Sequence, residues 1–128
     1  MTTATDNILK LAALQDNGEL PPAAEDAIAL DFAERYRDEL RYVALWGRWL
    51  NYDDVRWQLD DTLHVFDLAR ALCREVATNC ERAAAAAVAS AKTVAAVERL
   101  ARADRRLAAT AEQWDANAWI LNTGDSEA

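Results

Sequence analysis

The chain is short of the residues that usually carry chemistry: one histidine, two cysteines, one methionine, three glycines and two prolines in 128 residues. His64 stands near an expected helix start with no serine or cysteine placed to form a dyad, which favours a surface or capping role. Cys73 and Cys80 would lie about 10 Å apart along one helix, too far for a disulfide. They show no metal-ligand spacing and read as small hydrophobes. With glycine only at Gly18, Gly47 and Gly124, no G-x-x-x-x-G-K-[ST] phosphate loop can be assembled. Long apolar runs are missing too. The alanine block is too weakly hydrophobic to span a bilayer, and MTTATDNILK lacks the basic start and apolar core of a secretory signal. The expectation is a cytoplasmic protein with no membrane span, no metal and no cofactor.

Bases are scarce as well, and the net charge is −8. On its own that argues against broad, non-specific nucleic-acid binding, which needs a surplus of Lys and Arg to displace counterions. The balance is uneven: residues 1–62 hold 13 acids against 6 bases, and residues 63–113 hold 6 acids against 8 bases. A mildly basic half leaves room for a local phosphate contact.

What the chain does have is an aromatic segment. Leu40 to Leu59 reads LRYVALWGRWLNYDDVRWQL and contains three of the five tryptophans. Such large amphipathic rings settle where a body can be buried and a polar edge satisfied. Arg41–Trp46 and Trp49–Tyr52 are rich in β-formers around Gly47, Asp53-Asp54 supplies a turn, and Val55 to Leu59 alternates apolar and polar. The pattern predicts a small antiparallel β-meander at about 41–59, with Val55, Trp57 and Leu59 facing helices that support it.

Around it the periodicity is helical. A weakly ordered lead is expected over 1–22, with Ile8, Leu11, Ala12 and Leu14 able to form one helical turn. A helix follows from Ala23 to Leu40. After Asp60-Asp61-Thr62, a helix start, Val65, Ala69, Leu72 and Val76 form a stripe. Thr78-x-x-Glu81 has capping-box form, the alanine run has high helix propensity, and a helix is expected from Thr93 to about Gln113. The segment Trp114–Thr123 is apolar enough to dock on the body, and 124–128 is expected to fray. The fold class is therefore α+β, mostly α: one domain over 23–123, with a meander on a helical bundle.

Two groups of residues could form a surface of function. Tyr42, Trp46, Trp49, Tyr52 and Trp57 are interleaved with Arg41, Arg48 and Arg56, the composition of a single-strand stacking surface; the competing reading, given more weight, makes most of these rings core. Arg99, Arg102, Arg105 and Arg106 form the strongest basic cluster, with Arg99, Arg102 and Arg106 on one helix face. Its plain alternative is a solvated face paired with Glu98 and Asp104. The acids Asp53, Asp54, Asp60 and Asp61 suit a turn and a helix N-terminus better than a cation site.

FAERYRDELRYVALWGRWLNYDDVRW (32–57), VFDLARALCREVA (65–77) and SAKTVAAVERLARADRRLAATAEQWDANAWILNT (90–123) resemble the helicase-associated domain of phage and plasmid primases, including those of satellite phages and poxviruses. In those proteins the domain stands before a superfamily 3 ATPase and after a primase. The family signature includes the aromatics Tyr42, Trp46, Trp49, Tyr52, Trp57, Trp114 and Trp119. The resemblance implies a part in replication of a mobile element. This sequence ends at LNTGDSEA, where the family continues toward the ATPase, and the expectation is that neither an ATPase nor a primase domain is part of it. The expected function is a non-catalytic collar or assembly module, standalone or split from a larger protein, whose partner is a superfamily 3-type helicase subunit or a second copy. The alternatives are a single-stranded DNA-binding module and an inhibitor or fragment of a helicase ring.

Overall fold

The computed structural model describes residues 8, 14 and 18–115, and over these the chain is α+β and mostly helical, as expected. Helix α1 (Pro22–Arg35) opens on proline at its first position, where the missing N–H costs nothing. Ala24, Ile28 and Phe32 fall at four-residue intervals and are buried, with Ala29 and Ala33 beside them. The helix does not reach Leu40 as the periodicity suggested. It ends at Tyr36 (φ −112°, ψ 19°), and Leu40 opens a strand paired with Asn51.

Strands β1 (Leu40–Val43), β2 (Arg48–Tyr52) and β3 (Trp57–Leu59) form the antiparallel meander. Gly47 turns the first hairpin at φ +63°, a conformation in which a Cβ is strained. At the second turn the Asp53 carboxylate accepts the amides of Val55 and Arg56 at 3.0 and 2.9 Å. The register reverses the expected facing. Tyr42 pairs with Trp49, and both lie on the helical side; Trp57 pairs with Tyr52 and Leu59 with Leu50, on the opposite side. Val55 is in the turn and exposed. Alternation specifies two faces, and only the register decides which one meets the helices.

Helix α2 (His64–Ala77) buries Val65, Ala69, Leu72, Cys73 and Val76, the predicted stripe with Cys73. Its first amides are held by Asp60, whose carboxylate accepts from Thr62 and His64 at 3.1 and 3.0 Å and from Val65 at 2.9 Å. The alanine run is two helices, α3 (Arg82–Val88) and α4 (Ala91–Arg102). The Thr78 capping box does not form: the Thr78 hydroxyl donates back to the Glu75 carbonyl. Ser90 is the cap instead, accepting from the Thr93 amide at 3.2 Å. Helix α4 lies against both α1 and α2 and buries Val94, Val97 and Ala101 between them.

The expected helix over 93–113 is not continuous. It stops at Arg102, and Asp104 accepts from the Arg106 amide and guanidinium, both at 2.9 Å, closing a turn. The chain then runs as β4 (Ala108–Ala109), parallel to β1, with the Tyr42 N–H donating to the Leu107 carbonyl at 2.8 Å. A short helix α5 (Ala111–Asp115) follows. Strand order is β3-β2-β1-β4, so the sheet is mixed rather than a pure meander. Ile8 and Leu20 join α1, α2, α4 and the inner sheet face in the main core. A smaller core of Val43, Leu50 and Trp114 lies on the outer face. Thus Trp114 docks on the body as expected, whereas Trp119 and the 124–128 tail lie outside the described residues. So does most of the 1–22 lead.

Candidate functional site

The aromatic and arginine residues divide between the two faces of the sheet. On the inner face Tyr42 and Trp49 meet edge to face at 5.0 Å. The buried Trp49 Nε1–H donates to Glu98 Oε2 at 2.6 Å. Arg102 chelates the same carboxylate through Nε (2.9 Å) and Nη2 (3.0 Å) and lies 5.1 Å from the centre of the Tyr42 ring. Its pKa is raised chiefly by the bond to Glu98. This network fastens β1 and β2 to α4. Arg102 is therefore structural, as are Tyr42 and Trp49.

The outer face carries a row of rings. Tyr52 and Trp57 are 5.3 Å apart, and Trp57 meets Trp114 edge to face at 5.4 Å. The Arg41 guanidinium sits 5.5 Å from the Trp57 ring centre, within cation–π range. Trp46 packs half-buried against the Val43, Leu50 and Trp114 cluster. Tyr52 is 37% exposed at the far end of the row.

At the near end, Arg41, Arg105, Arg106, Ala108, Ala109, Gln113 and Trp114 line an open cleft of about 360 Å³. The arginines are not equivalent. Arg106 is committed: it chelates Asp104, reaches Glu34 at 2.8 Å and donates to the Leu30 carbonyl. The Arg106 side chain in turn holds the Asp104 carboxyl below the usual range. Arg41 donates only to backbone carbonyls, those of Arg37 and Leu40, at 2.5 and 2.7 Å. Arg105 likewise donates only to the Ala103 carbonyl, at 3.0 and 2.8 Å. Neither forms an ion pair with a carboxylate among the described residues.

The remaining candidates are scattered. Arg99 is exposed on α4, Arg56 is exposed in the second hairpin turn, and Arg48 makes a long 3.5 Å contact to the Asp60 carbonyl. Arg99 and Arg102 share α4, but Arg105 and Arg106 lie beyond its end, so the expected single-face row is broken. Asp53 and Asp60 serve as turn and helix caps, and no group of three His, Cys, Asp or Glu able to hold a metal occurs among the described residues. His64 is exposed in the first turn of α2. A second open cleft, of about 370 Å³, lies beside it between Leu63 and Arg70. Burial pushes the Cys73 thiol up to about 12, so it stays protonated and inert at neutral pH.

The juxtaposition of Arg41 with Arg105 and Trp114 escaped the sequence reading because it depends on β4. One local signal for the break was present. Thr110 and Gln113 form a reciprocal capping box: the Thr110 amide donates to Gln113 Oε1 at 2.8 Å and the Gln113 amide to Thr110 Oγ1 at 3.3 Å. A Thr-x-x-Gln at that point is a helix-start signal, and a start there implies an interruption before it.

Among known proteins, the family model described as D5 N-terminal-like matches residues 29–126. No curated protein matches the chain. No solved structure matches it either. The matched span begins inside α1 and takes in β1 to β4, α2 to α5 and both faces of the sheet. The chain belongs to the D5 N-terminal-like family, whose domains are typical of phage and plasmid primase–helicase proteins.

Proposed function

We propose that this chain is a non-catalytic assembly module of a phage or plasmid primase–helicase system, of the kind found in satellite-phage and poxvirus proteins. It acts as a collar that binds a superfamily 3-type ATPase subunit or a second copy of itself. The observation that carries the reading is the family match over 29–126, which includes β1 to β4 and α2 to α5 in full. The uses of the polar side chains support it. Glu98, Asp104, Asp60 and Asp53 are occupied as buried acceptor, turn clamp, helix cap and turn cap. Those are the roles of a scaffold, in contrast to an acid or base poised against a substrate.

ATP turnover and binding separate this reading from its rivals. The chain alone should hydrolyse no ATP and extend no primer, and it should co-purify with a superfamily 3-type ATPase subunit from the same element. Turnover by the isolated chain, or a chain that stays monomeric and is never retained by the ATPase subunit, would remove the proposal.

A further inference from the structure

We propose that the outer-face cleft between β1 and the turn that follows α4 binds the phosphate backbone of a single nucleic-acid strand. The site presents donors without matching acceptors. Arg41 and Arg105 hydrogen-bond only to backbone carbonyls, Arg41 lying beside the Trp57 ring as well, so both positive charges lack a carboxylate partner among the described residues. Arg105 acts on Asp104 only through space, and that carboxylate is already chelated by Arg106. Trp114, which lines the same cleft, is 93% buried (7% exposed), and its indole N–H has no acceptor among the described residues. A buried donor left unpaired is costly.

The geometry favours a strand over an isolated anion or an acidic peptide. Guanidinium forks match phosphate oxygens, and the cleft opens beside the partly exposed rings of Trp57 and Tyr52, 5.3 Å apart. Phosphate contacts next to aromatic faces are the combination used in sequence-tolerant strand binding. An acidic peptide has charge but no bases to stack. The overall charge of −8 does not oppose a local site, because the acids bonded to Arg106 of the cleft, Asp104 and Glu34, are already paired. The site also stands independently of the assembly role, since it needs no ATPase.

The test is fluorescence anisotropy of a labelled twelve-residue oligothymidylate with the full chain, wild type and two variants, from 50 to 200 mM salt. R105E removes one uncommitted cation in the cleft; R99E removes another exposed one elsewhere on the surface. R105E should weaken binding at least tenfold and R99E less than twofold. With two phosphates contacted, log K should fall against log salt with a slope of about −1.4, at about 0.7 per phosphate on single strands. R105Q repeats the test without reversing the charge, should R105E fail to fold. No binding at 50 mM salt, equal loss in R105E and R99E, or equal competition by inorganic phosphate or a polyglutamate peptide would each overturn the proposal.

Discussion

Asp60 shows how one side chain sets a boundary. Its carboxylate takes three amides at the entrance to α2. Partial burial pushes its pKa up, but the amide bonds outweigh this and hold it below the usual range. The unfolded chain titrates near 3.9, so above that value both states are ionised and the stabilisation is complete. As pH falls the unfolded state takes up the proton first, and the contribution is lost down through the folded value. Asp60→Ala should therefore cost about 1–2 kcal/mol at pH 7 and much less at pH 3. Urea unfolding at the two pH values reads the difference; equal losses would deny the ionised cap. Glu98 is the corresponding residue inside the fold. Glu98→Ala strands the Trp49 N–H and should cost about 2–3 kcal/mol, whereas Glu98→Gln keeps an acceptor and should cost less. The ranking of the two urea midpoints tests the link.

At the scale of elements, Ser90 divides the alanine run by capping α4, and Ser90→Ala should lower stability by about 1 kcal/mol. A thermal melt unchanged within error would show that the break has another cause. The same stretch explains what was legible in the sequence. Strands β1 to β3 announce themselves through β-branched and aromatic residues, Gly47 and the Asp53 turn. Strand β4 is two alanines, which carry no β signal, and its partner β1 lies more than sixty residues earlier. The tertiary pairing of Tyr42 with the Leu107 carbonyl overrides a sequence that reads as helix. The candidate site suffered for the same reason. Arg105 and Arg106 were recognisable as basic residues, but the non-local pairing of β4 brings them to Arg41. Trp57 was assigned to the wrong face because alternation alone leaves the register open.

At the scale of the whole molecule the sheet is a partition. One side closes the helical core through Tyr42, Trp49 and the Glu98–Arg102 pair. The other, roofed in part by Trp114, carries the outward row of rings and the uncommitted arginines. That division suits a module that is rigid within and presents one surface to partners. The proposed role as an assembly part of a primase–helicase is tested most directly by the mass of the complex. Light scattering after size exclusion should give a single species combining this chain with the superfamily 3-type ATPase subunit, at a mass above that of either alone. Two unchanged peaks, one of them the monomeric chain, would contradict it.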